Sequence, residues 1–586
     1  MKNVNIFTFL ILLLAVLGLT TTCAQPADNP QAADTNWGSS VVVPGTSLSK
    51  KLQWLSINAQ SDGDYTVVIT ANESIDPTTL AYGEETNITI KLIGVGINRI
   101  ISLKNVGSMF TVETGVTLIL DGKIELQGRS DNIASLIRVN SRANLILNSG
   151  AKIIGNTFAP YADLSYAGGV SIFGGTFTMN GGEISGNFSS SSSNWELGSS
   201  ISYAGGVHVE RGLFIMNGGK ITSNSSFSFG LNSAFALGGG VSILFGGTFT
   251  MNGGEISGNT TSSDSHGTPY IVAAYSRDGA SGAGVYVSRG TFKMSGGKII
   301  DNTINNTAVG AGGGVYVTFG STFIMSDGVI AGNSSRAGAG VFLREGEFNM
   351  TGGEISHNFT LTTESPSNFY SRGGGVCVSY GGVFNLSGGT ISCNIAAGQI
   401  GSNYDNVSEG GGVSMTGGTF IMNYGVISGN CSLYGGGVYI IGGGTLGGTF
   451  TMNSGEISGN HSLDGGGVCV FGTFTMCGGE ILGNYSTSQY YNNPVPGYGG
   501  GVYVNQSAYF IKTGGTIFGY LVDDSKSNNA NDSFGVLQNN NGHAVCVYDR
   551  LNKICVLRKD SKSEPIDNLL YNGVITPPVW SGAWDY

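Results

Sequence analysis

Residues 246–259 read Gly-Gly-Thr-Phe-Thr-Met-Asn-Gly-Gly-Glu-Ile-Ser-Gly-Asn, and the phrase returns with small changes down most of the chain. Ahead of each copy stands a Gly-rich opening that ends in a valine-x-valine type segment, as in Gly238-Gly239-Gly240-Val241-Ser242-Ile243. The first valine of this opening falls at Val170, Val207, Val241, Val285, Val315, Val341, Val376, Val413, Val438, Val468 and Val502, with a degenerate copy at Val545. Copies are separated by as few as 25 residues (Val413 to Val438) and as many as 44 (Val241 to Val285), yet their interiors are constant. Phenylalanine and closing asparagine lie ten apart in Phe177/Asn187, Phe214/Asn224, Phe249/Asn259, Phe292/Asn302, Phe323/Asn333, Phe348/Asn358, Phe384/Asn394, Phe420/Asn430, Phe450/Asn460 and Phe474/Asn484. A core of constant length with inserts at one fixed place is what stacked coils require, because each residue must meet its equivalent one coil away.

Within the unit the period is two, which is strand geometry. The paired valines are expected to face inward, and Phe and Met (Phe249 and Met251, Phe450 and Met452) to form a second inward wall. The isoleucine of Glu-Ile-Ser (Ile184, Ile256, Ile355, Ile457) forms a third. Between the valines stand Ser171, His208, Ser242, Tyr286, Tyr316, Phe342, Cys377, Ser414, Tyr439, Cys469 and Tyr503, a mixed set that reads as outward-facing. The expected fold is all-β: a right-handed parallel β-helix, a solenoid of three short strands per coil with Gly-rich corners. A leucine-rich horseshoe lacks its leucines, and a propeller blade needs four strands per unit. The recurring asparagine has a structural use, since an amide both donates and accepts and can bond its equivalents in a chain. Asn-x-Ser/Thr triplets such as Asn259-Thr260-Thr261 then arise as by-products of that column.

The 586 residues include 98 Gly and 12 Pro, 11% are charged, and the net charge is −11. Nothing resembles the basic stripe that phosphate backbones require, so no nucleic acid partner is expected. Lys2 followed by the apolar run Ile6 to Leu19 reads as a secretory signal, with cleavage after Ala24, or before Cys23 if that cysteine carries a lipid anchor. The expected division is 1–24 signal peptide, 25–86 linker and small N-terminal cap, 87–560 β-helix repeats, and 561–586 tail. Leu48, Leu52 and Leu55 recur at helical spacing within the cap. The signal leads to the expectation that the mature chain is secreted or at the cell surface, outer-membrane associated; no later segment is long and apolar enough for a transmembrane span, so any other attachment would need a partner. Cys546 and Cys555 flank a hairpin-like stretch and can either pair or remain free thiols.

Ile184-Ser185-Gly186-Asn187 before Gly205-Gly206-Val207, and Ile427-Ser428-Gly429-Asn430 before Gly436-Gly437-Val438, resemble the repeats of chlamydial polymorphic outer membrane proteins. They are more similar still to bacterial pectin-lyase-like β-helix repeat proteins. The resemblance covers about residues 87–560 and implies a surface-exposed, adhesive role. Isoleucine replaces the motif phenylalanine, and Pro565 to Tyr586 holds none of the alternating segments of a C-terminal membrane barrel.

Pectin-degrading enzymes share this fold, but fold alone does not confer activity. Lyase chemistry wants carboxylates converging on calcium and a base, and hydrolysis wants paired Asp near Gly-His-Gly and Arg-x-Lys segments. Asp523-Asp524, Asn541-Gly542-His543-Ala544 and Arg558-Lys559 each miss these patterns and read as surface groups. Glu183, Glu255, Glu354, Glu456 and Glu480 recur once per coil, but Lys220, Lys298, Val329, Val426 and Thr390 hold the same site, which argues against a metal column. No catalytic, metal or cofactor site is therefore expected. The candidate binding residues are Tyr286, Tyr316, Tyr439 and Tyr503 on the outward valine-strand column, with Trp195, Tyr270, Phe369, Tyr370, Tyr490 and Tyr491 from inserts entering along the neighbouring edge. Exposed aromatics among small polar residues suit glycans or host cell-surface proteins. A structural surface spacer and a divergent polysaccharide lyase or hydrolase are the alternatives.

Overall fold

The structure, a computed structural model, describes residues 40–581 except 161, 194–197, 231–232, 266–278, 306–309, 361–369, 398–406, 443–446, 488–496, 521–524, 532–540, 550–553, 564–568 and 573–579. Cys23 and the signal segment lie outside the described residues. Three walls of parallel strands stack in register, so the chain is a parallel β-helix. The valine walls pair one coil to the next, Val207 with Val241, Val241 with Val285, Val285 with Val315. Phe214 meets Phe249 and then Phe292, and Ile221 meets Ile256 and then Ile299. In several coils the second and third strands run on as one bulged strand, as in Thr322–Ala331 and Thr419–Ser428. The bend between them falls on a glycine in the left-handed region: Gly254 has φ +85°, and a Cβ there would lie 2.6 Å from Met216 Cε and 2.8 Å from the Gly219 carbonyl. Only glycine fits a site that is both left-handed and closed by the coil below.

Phe177, Phe214, Phe249, Phe292, Phe323, Phe348, Phe384, Phe420, Phe450 and Phe474 form one column of fully buried rings. Their centroids are 4.5–4.9 Å apart and their planes within 7° of parallel. That spacing is the strand separation itself, so the register imposes the stack.

The asparagine column runs from Asn132 to Asn528. From Asn187 to Asn484 each amide is bonded the same way, as at Asn302: its Nδ2 donates to Asn333 Oδ1 at 2.9 Å and to the Ile256 carbonyl at 3.0 Å. Its backbone N–H donates to the same Asn333 oxygen at 3.0 Å. Every member is buried, and every polar atom of the amide is used, which is the condition under which a buried polar network stabilises. Asn528 continues the column beyond the regular ten-residue spacing, because an insert separates it from Phe510. A second, exposed amide ladder links Asn148, Asn180, Asn217 and Asn252 at 2.8–3.1 Å.

Both ends are covered. Helix α1, Leu48–Asn58, begins at the N-cap Ser47 and buries Leu48, Leu52 and Leu55. Coil pairing starts earlier than the expected boundary at residue 87: Tyr65 pairs with Ile90 and Ile90 with Leu118. Alternation of Tyr65, Val67 and Ile69 into the core already continues the second wall there. At the other end antiparallel strands close each exposed edge, Ile554–Lys559 on the valine wall and Leu569–Asn572 on the phenylalanine wall. An antiparallel cover reverses the chain and ends the stack, where a parallel one would invite another coil. Cys546 and Cys555 are joined as a disulfide across the first of these covers.

The inserts fold as well. Phe188–Ser193, Ser225–Gly230 and Thr260–Ser265 stack as one parallel sheet, and Ser199–Tyr203, Ser233–Leu237 and Gly279–Ser281 as another. Between these two sheets lie buried serines that bond one another, Ser165 with Ser189 at 2.8 Å and Ser200 with Ser228 at 2.6 Å. Hydroxyls that both donate and accept let the two sheets bond across a thin polar layer.

Phe323 stands 4.7 Å from Phe292 and 4.5 Å from Phe348. Phe323→Ala should therefore cost about 3–5 kcal/mol through the cavity it opens, whereas Thr322→Ala, on the outer face, should cost under about 0.5 kcal/mol. Urea unfolding of the two variants checks the inward and outward assignments, and equal midpoints would refute them.

Candidate binding surface

The side chains between the valines do point away from the helix core, but they do not meet solvent. Tyr286, Tyr316, Tyr439 and Tyr503 are 6%, 9%, 6% and 5% exposed. Ser171, His208, Ser242, Phe342, Cys377, Ser414 and Cys469 are buried with them. The expected open face is thus the floor of a second core. Tyr286 stacks on Tyr316 at 5.5 Å and Tyr316 on Phe342 at 5.1 Å, and Leu237 of the returning insert strand joins the same cluster, with Ile201, Tyr203 and Phe235 packed against it. Further up, Tyr439, Cys469, Tyr498, Tyr503 and Cys546 form a similar cluster. Burial drives the Tyr316 phenol up to about 12, so it stays neutral. The aromatic column is a packing surface that the inserts cover, because apolar alternation in the inserts needs somewhere to be buried. Of the insert aromatics only Tyr370 is described, and it is exposed; Trp195, Tyr270, Phe369, Tyr490 and Tyr491 lie outside the described residues.

The second core also holds charge. Arg372 Nε donates to Glu409 Oε2 at 2.7 Å with both side chains buried. Asp464 accepts from the Tyr498 N–H at 3.3 Å, and burial raises its carboxyl from the usual 3.8 to about 7.

The residues weighed for catalysis are engaged elsewhere. His543 Nδ1 accepts from the Ala530 N–H at 3.0 Å, and burial lowers its pKa. Arg558 pairs with Asp560 at 2.9 Å and Lys559 is buried. Asp523 and Asp524 lie outside the described residues. From Lys152 to Lys298 the Glu183 column alternates in sign, with Lys152 and Glu183 paired at 2.9 Å and Lys220 and Glu255 at 3.7 Å, as surface ion pairs; beyond it Val329, Thr390 and Val426 interrupt the charges and Glu456 adjoins Glu480. Among the described residues no three His, Cys, Asp or Glu side chains converge as metal ligands.

Large apolar side chains stay in solvent along two lines, Phe359, Ile395 and Tyr485 just after the asparagine, and Phe245 and Phe319 at the corner between the valine and phenylalanine strands. Arg211, Phe245, Arg289, Phe319, Glu345 and Tyr380 occupy that corner on six successive coils. All six are left-handed, with φ between 46° and 54°. For an aromatic residue this conformation costs of order 1–3 kcal/mol. The corner after the isoleucine strand needs the same left-handed residue and mostly uses glycine, as at Gly186, Gly258, Gly332 and Gly429. Bulk at the valine corner is therefore retained against a cheaper local solution. Phe245 and Phe319 are 42% and 38% exposed. The Arg289 guanidinium lies between them, 5.8 Å from the Phe245 ring centroid and 5.5 Å from that of Phe319. Arg344, one residue before the corner, lies over Tyr380 at 4.5 Å. Beside the aromatics, Gly246, Gly320 and Gly381 have open space where a side chain would stand.

The alternation is written in the spacing. Valine to phenylalanine is seven residues at the coils of Arg211, Arg289 and Glu345 and eight at those of Phe245, Phe319 and Tyr380. An extra glycine follows each aromatic, so aromatic corners are long and charged corners short. The repeat pattern hides this signal, because it differs between neighbouring copies by a single residue. Compared with known protein families, curated proteins and solved structures, the chain matches none. No helix among the described residues is long and apolar enough to cross a membrane.

Two outcomes follow. Replacing Tyr286 and Tyr316 together by Ser should destabilise the protein by more than about 3 kcal/mol, since each removes a buried ring; loss of less than about 1 kcal/mol in urea unfolding would return these residues to the surface. For Asp464, the folded state keeps its proton up to about pH 7 whereas the unfolded chain releases it near 3.8. The group thus costs nothing below about pH 4, an increasing amount as pH rises to 7, and a constant amount above. Asp464→Asn should accordingly gain more stability at pH 8 than at pH 4, and a pH-independent difference between the two proteins would show that the carboxyl titrates normally.

Proposed function

We propose that this protein is a non-catalytic binding or adhesion protein of the cell exterior, which presents the solvent-facing corner as its contact surface to glycans or host cell-surface proteins. The observation that carries the reading is the retention of Phe245, Arg289, Phe319 and Tyr380 in left-handed corners where glycine costs less. Backbone strain kept at exposed aromatics serves contact rather than folding. An extracellular location is supported by the apolar run Ile6 to Leu19 and by the Cys546–Cys555 disulfide, a bond that persists in oxidising compartments. Attachment through a lipidated Cys23 at the outer membrane is part of the same proposal. The second reading, a structural spacer, is favoured by the unbroken phenylalanine and asparagine columns, which would serve stiffness without any ligand.

A glycan and extracellular-matrix array probed with the full chain and with the Phe245→Gly, Phe319→Gly double variant separates the two. Glycine relaxes the corner, so the variant should unfold at the same or higher urea concentration while losing array binding. Binding that is unchanged in the variant overturns the assignment of the corner, and an array with no binding at all favours the spacer.

A further inference from the structure

We infer that Cys431 and His461 form a binding site for a soft monovalent metal ion, copper(I), separate from the corner between the valine and phenylalanine strands. Cys431 follows Asn430 and His461 follows Asn460, so both stand one position beyond the buried amide column. They pair in register on successive coils. Asn430 Nδ2 donates to Asn460 Oδ1 at 2.9 Å, and the Cys431 and His461 N–H groups donate to the Asn394 and Asn430 carbonyls, each at 2.9 Å. The bonds that set the register therefore also set the distance between thiol and imidazole, and Cys431 Sγ lies 3.8 Å from His461 Nδ1. Two donors held by a rigid backbone are positioned before any ion arrives. The coils that carry them are short ones: eight residues separate Asn430 from Val438 and Asn460 from Val468, against 19 from Asn394 to Val413 and 18 from Asn484 to Val502. No insert rises from either coil of the pair.

The geometry and the surroundings of the pair then select the ion. With bonds of about 2.3 Å to sulfur and about 2.0 Å to nitrogen, a separation of 3.8 Å opens the angle at the metal to about 120°, wider than a tetrahedron. Zinc wants four donors, and among the described residues no third His, Cys, Asp or Glu joins these two. Cys393, one coil below, leans instead over Gly429, its Sγ 3.5 Å from where a Cβ would stand there. In the column of the pair itself the neighbours are Ile395 below and Tyr485 above, both exposed, which flank the site with apolar surface and bring no charged donor. One thiolate, one imidazole and an open angle satisfy copper(I), a soft ion with a filled d shell that accepts two donors, whereas copper(II) wants a tetragonal set of nitrogen and oxygen. On binding, the Cys431 thiol releases its proton to solvent as the Cu–S bond forms, and His461 supplies the Nδ1 lone pair. The metal keeps its oxidation state.

The test is an anaerobic competition titration of the full chain against the copper(I) bicinchoninate complex, whose colour fades as the protein takes the metal. Ascorbate serves as reductant, so that the Cys546–Cys555 disulfide stays closed. Cys393 and Cys477 are free and exposed as well, so the titration is made in the Cys393→Ser, Cys477→Ser chain, which should still take up one copper(I) per molecule. In that background Cys431→Ser and His461→Gln should each weaken binding at least about tenfold, with urea unfolding as the check that the variants are folded. Zinc should bind the background chain at least about tenfold more weakly than copper(I). X-ray absorption on the copper-loaded background chain needs no change to the pair and should show one sulfur and one imidazole nitrogen at the metal. The inference is overturned if the background chain takes no copper(I) from the competitor, if either variant binds as tightly as that chain, if zinc binds as tightly as copper(I), or if the absorption spectrum shows sulfur donors alone.

Discussion

From Asn187 to Asn484 each asparagine amide of the buried column donates up to the next coil and back to the coil behind, and accepts two N–H groups in return. That exchange admits one register only. An asparagine out of that register would leave a buried amide oxygen without donors and a backbone N–H without an acceptor, each expensive. A longer interval is accommodated where the extra chain is looped out before the corner: Asn156, one residue further from Leu145 than Asn187 is from Phe177, still donates its N–H to Asn187 Oδ1 at 3.1 Å, and Asn528 still accepts from Asn484. The amide column is therefore the constraint on which the walls depend. The phenylalanine column, with rings at the strand separation, and the glycine at the bend beside each methionine follow from it.

In the central copies chain length varies at two places. Between asparagine and the next valine, chain length varies, and the inserts use that room to build serine-lined sheets and to bury the side chains between the valines. Between valine and phenylalanine the length also varies, and over the six coils from Val207 to Val376 it alternates by one residue with aromatic and charged corners. The first variation adds a second core and lies beneath the surface. The second adds nothing to the core and keeps strained residues in solvent, which is why we propose the contact surface there.

The covered column holds Ser, His, Tyr, Phe and Cys without a charged residue, but the half-exposed column of Ser185, Thr222 and Ser257 is equally uncharged, so composition did not mark the burial. Period two reports direction from the strand, and says nothing of what lies beyond the side chain.

By itself the sequence determined the three inward walls, the amide column and the helical cap, because these rest on short-range periodicity and on a spacing that repeats without exception in the central copies. The tertiary structure alone decided that Tyr286, Tyr316, Tyr439 and Tyr503 are roofed over, since the roof comes from inserts of unequal length whose strands pair only with the inserts of neighbouring coils. It alone also brought Phe245, Arg289 and Phe319 into one line. These residues lie 44 and 30 apart in the chain, and only stacking at the coil rise makes them neighbours.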